Sequence, residues 1–195
     1  WSFYYRSLIQ NFQGRYRCIA PDHIGFGFSD KPQDYSYTLT THIDNLEKLV
    51  DFLGLKNITL VVHDWGGAIG MGLAVRKPGL IKRLVLFNTA SFLSSNIPLR
   101  ISLCRMPLLG TILIRYFNLF ARGVLRFGLK RRKRLTQNVR AGYLAPYDTF
   151  ENRIANLKFV QDIPMEQAVP SYSVIQYIER NLKQFDGYPI LIIWG

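Results

Sequence analysis

The chain has 195 residues, 48% of them hydrophobic, which suffices for one globular domain with a sizeable core. Cys18 and Cys104 are too few for a disulfide framework, and no signal-peptide pattern follows Trp1, so we expect a reduced, cytoplasmic protein. The net charge of +12 favours acidic partners, but no nucleic-acid-binding motif accompanies it, so we expect no nucleic-acid partner.

Helical and strand patterns alternate over the first ninety residues. The predicted helices cover residues 1–13, 38–53 and 65–76, and the predicted strands cover residues 16–20, 58–62 and 81–87. A loop rich in turn-forming residues, 22–32, follows the first strand. This alternation indicates a parallel α/β sheet.

The strand pattern stops after Ser91, and residues 97 to about 185 are predicted to be helical. Within them, residues 107–125 are apolar but interrupted by Arg115 and Arg122, which favours a pair of amphipathic helices over a membrane span. An insertion of this length between strands is typically a functional lid over the strand ends.

Residues 189–195 restore the strand pattern and are predicted to be a buried strand. Because a buried strand needs neighbours and a following loop, we expect this chain to be an internal part of a longer protein. The predicted organisation is a partial core over residues 1–95, a helical cap over 96–186, and the start of a C-terminal core over 187–195.

Basic residues are concentrated in one stretch, since no Asp or Glu occurs from Trp65 to Tyr147. The same stretch includes the cluster Lys130–Arg134. Two interpretations remain open, a solvated face and a surface for anionic lipid head groups or an acidic partner.

Asp64 carries the clearest chemical signal. The apolar strand stops at this residue, and Gly66 and Gly67 open the next helix, as in a nucleophile elbow with a carboxylate in place of the usual serine. A simple helix cap is the alternative, but the buried strand and the small residues favour a nucleophile that forms an ester with an electrophilic carbon. The helix dipole favours its ionised form, and the Trp65 backbone N–H is predicted to be an oxyanion donor.

Trp65 has an indole N–H that needs an acceptor when buried, such as a halide or a carboxylate oxygen of a leaving group. Core packing is its other interpretation. No histidine is expected to be the general base: His63 should point away from Asp64, His42 should lie on a helix surface, and His23 is expected to be structural.

Tyr143 and Tyr147, four residues apart, are candidates to polarise an epoxide oxygen. Because Pro146 interrupts the helical face between them, lining of a substrate pocket is the preferred interpretation. The segment Gly25–Ser29 lacks the glycine spacing of a phosphate loop, and we predict neither a metal nor a cofactor.

Three segments together resemble the haloalkane dehalogenase branch of the α/β-hydrolases, and the resemblance covers nearly the whole chain. They are APDHIGFGFSDKP at 20–32, VHDWGG at 62–67 and LIIWG at 191–195. The cap segments NLFAR at 118–122, LAPYDTFENRIA at 144–155 and FVQDIP at 159–164 look most like the β-lactone decarboxylases of bacterial long-chain olefin biosynthesis.

The resemblance implies an α/β-hydrolase fold with an inserted helical cap, with Asp64 as nucleophile and Trp65 as half of a leaving-group clamp. The other half in this branch is usually an Asn in a loop that comes before Trp1, and this cap offers no second Trp. Some members place the triad acid after the strand that ends at Phe87, where Asn88-Thr-Ala follows instead. The acid and the catalytic His are therefore expected after Gly195, so residues 1–195 alone are predicted to be poorly stable and inactive.

The preferred function is decarboxylation of a β-lactone to a cis-alkene and carbon dioxide. Haloalkane dehalogenation is the first alternative, followed by epoxide hydrolysis and by a non-catalytic binding protein of the same fold. The expected partners are a small hydrophobic substrate and other enzymes of a biosynthetic complex, with peripheral membrane contact through the basic cap as a further expectation.

Overall fold

A computed structural model describes residues 1–94, 97–127 and 135–195. The basic cluster Lys130–Arg134 lies outside the described residues. The chain divides into two compact units, the first formed by Trp1–Tyr35 with Pro98–Gln161 and the second by Ser36–Ile97 with Asp162–Gly195.

The helices and strands follow one another along the chain as follows. They are a 3₁₀ helix Ser2–Tyr5, α1 Arg6–Phe12, α2 Leu39–Phe52, β1 Ile58–His63, α3 Trp65–Arg76, a 3₁₀ helix Pro78–Leu80, β2 Ile81–Phe87, α4 Leu99–Arg105, α5 Pro107–Gly110, a π-helix Thr111–Tyr116, α6 Leu119–Phe127, α7 Gln137–Leu144, 3₁₀ helices Ala145–Tyr147 and Glu151–Arg153, α8 Ile154–Gln161, α9 Ser171–Asn181, a 3₁₀ helix Leu182–Phe185 and β3 Ile190–Ile193.

The strands of the second unit form a parallel sheet in the order β1-β2-β3, as the alternating pattern predicts. Helix α3 packs closely on its neighbours because it presents glycines to them. A Cβ on Gly70 would lie 2.6 Å from Val62 of β1, and one on Gly72 would lie 2.3 Å from Ile43 of α2. Larger residues would push the helix away from both elements.

Two strand predictions are wrong in part. Residues 16–20 have no regular structure, since none of the described strands pairs with them and a strand needs a hydrogen-bonded neighbour. Residues 190–193 do form a strand, but all four of its side chains are exposed rather than buried. Apolar composition predicts burial only where another layer covers the strand, and a local pattern does not reveal that layer.

The predicted helix at 38–53 is confirmed as α2, with Thr38 as its N-cap. A second cap comes from far along the chain, because the Asp162 carboxylate accepts the Leu39 N–H at 2.9 Å and also the Ser171 hydroxyl at the start of α9. Burial raises the pKa of Asp162, and the hydrogen bonds from Ser171 and Leu39 oppose that rise. Asp162 thus joins the N-termini of two helices.

His42 corrects another prediction, because it is fully buried rather than on the surface of α2. It lies between Leu39 and Ile43 on the buried face, and its ring lies 6.1 Å from the ring of Tyr37. The apolar pattern of α2 does not predict this, because it counts only aliphatic residues as buried, whereas the imidazole ring of His42 also packs on the buried face.

The first unit is helical in its described cap residues, as predicted, and Arg153 is buried within it. This buried guanidinium donates to the carbonyl oxygens of Tyr147 at 2.7 Å, Arg115 at 2.6 Å and Tyr116 at 3.2 Å. Burial lowers the pKa of Arg153, and the positive charge of Arg122 lowers it further. The cation therefore organises several turns of backbone, while the negative charges of Asp148 and Glu151 oppose the fall of its pKa.

The two units cut across the predicted domain boundaries. Residues 1–35 group with most of the predicted cap, while α9 packs on α3 in the second unit. The division into core and cap at residues 95 and 186 remains a prediction from the sequence. Among the described residues no single helix is long and apolar enough to cross a membrane, although Pro107–Tyr116 and Leu119–Phe127, bent by 72° at their junction, pass a length and hydropathy test together.

Candidate active site

Asp64 occupies a strained turn between a strand and a helix. β1 ends at His63, α3 begins at Trp65, and Asp64 between them has φ 51° and ψ −132°. A non-glycine residue at positive φ costs about 1–3 kcal/mol and persists only where its surroundings hold it in place. The predicted elbow is therefore present in the backbone, with Asp64 at its apex.

The end of β2 holds this turn in place. The Asp64 N–H donates to the Asn88 carbonyl at 3.3 Å, and the Asp64 carbonyl accepts from the Thr89 hydroxyl at 2.6 Å and the Gly67 N–H at 2.8 Å. A Cβ on Gly67 would lie only 1.7 Å from the Thr89 hydroxyl oxygen. Gly67 is thus required because the Thr89 side chain fills the space that any larger residue needs.

Thr89 and Asn88 are site residues that sequence reasoning missed. The sequence pattern marks Asn88 only as a position without an acid, and it assigns no role to Thr89. Asn88 itself has φ 29°, and its side chain donates to the Gly195 carbonyl at 2.9 Å. The available signal was the position of both residues at the carboxyl end of a strand adjacent to β1, where parallel strands bring their ends together.

The Asp64 carboxylate is accessible and electrostatically perturbed. The residue is exposed by its surface area, yet the surrounding protein removes enough water to raise the pKa of its carboxyl above the ordinary value. The charge of His63 and a hydrogen bond from the Trp65 backbone N–H oppose this rise. Poor solvation makes an ionised carboxylate more reactive toward carbon, as a nucleophile requires.

The two residues that flank Asp64, His63 and Trp65, are both half-buried. Burial lowers the pKa of His63, and the charge of Asp64 raises it in opposition. The neutral imidazole is therefore favoured at neutral pH. The proposed roles of the Trp65 indole and backbone N–H toward a substrate remain predictions.

Tyr143 lies on α7 in the first unit, where its hydroxyl accepts a hydrogen bond from Arg6 at 3.1 Å. The ring of Phe3 packs edge-on against it at 5.1 Å. These contacts attach α7 to the N-terminal helix segment. These contacts give Tyr143 a role in packing. Its contact with a substrate remains a prediction from the sequence.

Tyr147 is buried in the first unit, and burial raises the pKa of its hydroxyl. The Gly27 backbone opposes that rise by hydrogen bonding, and the charge of Asp22 adds to it. The Tyr147 hydroxyl therefore lies beside the loop 22–32. The backbone carbonyl of Tyr147 accepts a hydrogen bond from the Asn118 side-chain amide at 3.0 Å. A phenol held this way is a neutral hydrogen-bonding group at physiological pH, and a role in epoxide opening remains a prediction.

The loop 22–32 is built around the Asp22 carboxylate. It accepts the Ser2 N–H at 2.7 Å and the Phe28 N–H at 2.9 Å, and a Cβ on Gly27 would lie 2.2 Å from it. Burial raises the pKa of Asp22, but hydrogen bonds from Phe28 and Ser2 oppose it, and the net effect is a lowered pKa. Burial lowers the pKa of the neighbouring His23 to about 4. Both side chains fit the structural role expected of this loop.

No group of three or more His, Cys, Asp or Glu residues suited to a metal ion occurs within the described parts of the chain. The elbow by itself offers a poorly solvated carboxylate at a helix N-terminus. That arrangement suits attack on an electrophilic carbon to form an ester.

The family model for the alpha/beta hydrolase fold matches residues 1–195. The chain is 48% identical over 201 residues to a cis-3-alkyl-4-alkyloxetan-2-one decarboxylase of Shewanella oneidensis, covering 100% of this chain and 63% of the relative. It is 42% identical over 206 residues to a protein of the same name from Xanthomonas campestris pv. campestris, covering 68% of that relative. The chain thus spans about two thirds of the length of these relatives.

Solved structures agree with this assignment. A crystal structure of a putative ancestral haloalkane dehalogenase superimposes with a TM-score of 0.87 at 30% identity, covering 100% of this chain and 69% of that chain. The parallel sheet, the strand–turn–helix elbow and the match along the full chain lead to one conclusion. The chain belongs to the α/β-hydrolase family, with haloalkane dehalogenases and the alkyloxetanone decarboxylases among its relatives.

Proposed function

We propose that the protein containing this chain decarboxylates a cis-3,4-dialkyl-oxetan-2-one, a β-lactone, to an alkene and carbon dioxide. The observation that carries the proposal is the 48% and 42% identity to two decarboxylases of that name, compared with 30% to a dehalogenase structure. The Asp64 elbow supports it, because the reaction needs a nucleophile for a ring carbon.

The chemistry balances with Asp64 alone as the covalent partner. The Asp64 carboxylate attacks C4 of the lactone, a C–O bond forms to the enzyme, and the ring C4–O1 bond breaks to leave a free carboxylate. That carboxylate then departs as carbon dioxide when the C2–C3 bond breaks. The electron pair of that bond forms the C3=C4 double bond and expels Asp64 unchanged, so no water is consumed.

The environment of Asp64 suits both steps. A carboxylate with reduced solvation is a better nucleophile toward carbon, and desolvation by the surrounding protein raises the pKa of Asp64. The strained backbone fixes the carboxylate at the N-terminus of α3, where the helix dipole favours negative charge on the enzyme and on the opened lactone. The Trp65 indole N–H is proposed to hold the departing carboxylate.

The test uses the purified full-length protein with a long-chain cis-β-lactone, a long-chain haloalkane and a long-chain epoxide. We expect alkene and carbon dioxide from the lactone, measured by gas chromatography, and at least a ~10³-fold loss in Asp64→Asn. Asp44→Asn is the matched control, since this exposed carboxylate on α2 pairs with Arg76. Lactone turnover by Asp64→Asn at the wild-type rate would contradict the assignment of Asp64 as the nucleophile.

Hydrolytic dehalogenation is the second candidate, favoured by the structural similarity to haloalkane dehalogenases. There the Asp64 ester must be hydrolysed, so one oxygen of water enters the carboxyl group of Asp64 or the alcohol. A single turnover in ¹⁸O-labelled water separates the two reactions. Label in Asp64 after turnover with the lactone contradicts the decarboxylation route, whereas unlabelled Asp64 and alkene support it.

A further inference from the structure

Two strained residues adjoin each other at the carboxyl end of the sheet. Asp64 directly follows β1, and Asn88 directly follows β2. The last residues of these strands, His63 and Phe87, are partners in the parallel ladder. Asp64 has φ 51° and Asn88 has φ 29°, although neither is glycine. A non-glycine residue at positive φ persists only where surrounding contacts hold it, so the two strands end in a matched pair of strained turns.

Asn88 hydrogen-bonds to both of its neighbours in the sheet. On the side of β1, its carbonyl accepts the Asp64 N–H at 3.3 Å. On the side of β3, its N–H donates to the Ile193 carbonyl at 3.4 Å, and its side-chain amide donates to the Gly195 carbonyl at 2.9 Å. The side-chain bond is the shortest of the three, and it reaches two residues beyond the end of β3. Asn88 thus connects the nucleophile turn to a second strand end.

Asparagine suits this position for two separate reasons. It is one of the few residues other than glycine that adopt positive φ readily. Its amide also carries an N–H donor, which an ionised aspartate of the same shape lacks. Asn57, directly before β1, also has positive φ, at 54°, but it lies at the amino end of the sheet. Both asparagines are exposed, so burial holds neither side chain in place.

The support that Asn88 gives to the turn differs from that of Thr89. The Thr89 hydroxyl binds the Asp64 carbonyl and fills the space beside Gly67, so it acts between the ends of β1 and β2. Asn88 binds the Asp64 N–H instead, and its side chain brings in the chain after β3. Loss of the amide would release the strained Asn88 backbone from the Gly195 carbonyl. The Asp64 N–H would then lose an acceptor of fixed position.

We propose that Asn88 is a positioning residue for the nucleophile, and that its side-chain amide acts through the Gly195 carbonyl to fix the turn that presents Asp64. The inference rests on the proposed function, because it takes Asp64 to be the attacking group. The contacts that carry this role are with backbone atoms rather than with the reacting carboxylate. Displacement of a reacting group by about 1 Å can slow a reaction about 100-fold, so Asn88 acts on the attack step rather than on substrate binding.

The test compares Asn88→Gly with Asn57→Gly in the purified full-length protein. Glycine adopts positive φ freely, so each change removes a side chain without adding backbone strain, at opposite ends of the sheet. We expect Asn88→Gly to lower kcat for the β-lactone about tenfold or more, with KM within about twofold, because attack geometry is lost and binding is not. Asn57→Gly should leave kcat and KM unchanged.

A second measurement needs no substrate. A ¹³C NMR titration follows the Asp64 side-chain carboxyl, assigned by the signal that is missing in Asp64→Asn. Desolvation raises the pKa of this group, and a relaxed turn would admit water. The Asp64 pKa should therefore fall toward the ordinary value of about 3.9 in Asn88→Gly and stay unchanged in Asn57→Gly. Because the charge of His63 also acts on Asp64, a parallel titration of His63 identifies any shift that comes through the imidazole.

Three results would each overturn the proposal: equal kcat values in Asn88→Gly and Asn57→Gly, a loss confined to KM, or an unchanged Asp64 titration. Circular dichroism checks folding. Asn88→Ser, whose hydroxyl is about one atom shorter than the amide, replaces a glycine variant that does not fold and should give a smaller loss in the same direction. A wild-type protein that turns over a haloalkane or an epoxide but no β-lactone contradicts the proposed function alone, and kcat with that substrate then tests Asn88.

Discussion

Two aspartates, one in each unit, show how a turn decides what a carboxylate does. Asp22 accepts two backbone N–H groups, and its pKa is lowered despite burial, with these hydrogen bonds among the causes. The Asp64 carboxylate receives one backbone hydrogen bond, from Trp65, and desolvation by the surrounding protein raises its pKa. Both lie beside a glycine that leaves no room for a Cβ, at Gly27 and Gly67.

The difference lies in what fills the space that glycine leaves. Beside Gly27 it is the carboxylate itself, which thereby becomes part of the loop. Beside Gly67 it is the Thr89 side chain, which binds the Asp64 carbonyl and leaves the Asp64 carboxylate exposed. The Asp22 carboxylate is engaged by the backbone of its own loop, whereas the Asp64 carboxylate is held in position and remains available to react. Five experiments test this contrast.

The largest effect is expected on the pH dependence of turnover. Because only the ionised Asp64 is a nucleophile, turnover of the full-length protein should fall about tenfold per pH unit below its pKa. The raised pKa places this fall at a higher pH than the ordinary value of about 3.9 for aspartate. The check is a pH–rate profile with the β-lactone, and a profile that stays flat down to pH 4 contradicts the raised pKa.

Ionised Asp64 supports turnover, but it should lower the stability of the folded protein. Ionisation of a group whose pKa is raised by folding destabilises the folded state above that pKa and has no effect below the unfolded value. Asp64→Asn should therefore melt at a higher temperature than wild type at neutral pH, and the gap should close as the pH falls below about 4. A gap that does not change with pH contradicts this account.

Gly67→Ala should give the largest loss of stability. Its Cβ collides with Thr89, so we expect about 1–3 kcal/mol of destabilisation, with loss of turnover as Asp64 shifts. Gly66→Ala is the matched control, because among the described residues nothing beyond its chain neighbours and its own helix backbone lies within 4 Å of the added Cβ. That variant should keep its stability or gain up to about 1 kcal/mol, since alanine favours helix. Chemical denaturation measures both, and equal effects contradict the close contact at Gly67.

Asp22→Asn should destabilise the first unit by about 1–3 kcal/mol, because an amide cannot accept both backbone N–H groups as an anion does. Since the folded pKa is lowered, this contribution is fully present above the unfolded pKa and is lost as pH falls through the folded value. Exposed Asp34→Asn is the control. Urea unfolding at neutral and acidic pH gives the comparison, and an equal loss in both variants contradicts the role of Asp22.

Thr89→Val should have the smallest effect, about 1 kcal/mol, because the Asp64 carbonyl keeps its hydrogen bond from Gly67. Thr89→Ser should restore the loss, since it keeps the hydroxyl. Turnover should fall more than stability, as the hydroxyl holds the turn that presents the nucleophile. Full retention of turnover in Thr89→Val would contradict a role of the Thr89 hydroxyl in positioning Asp64.

Local patterns by themselves predicted much of the second unit. The apolar periodicity and the Thr38 cap located α2, the apolar run located β1, and the glycines after it located the elbow. These features depend on residues close together in the chain. The identity of Asp64 as the candidate nucleophile followed from the same few positions.

Contacts between distant segments decided the rest. Asp162 caps α2 across 123 positions, and Thr89 supports Asp64 across 25. His42 is buried, β3 is exposed and residues 16–20 form no strand, because burial and pairing depend on which segments meet. The sequence alone determined which carboxylate to examine and where its turn begins. Only the tertiary structure decided what holds that turn, because its supports come from parts of the chain that no local pattern connects.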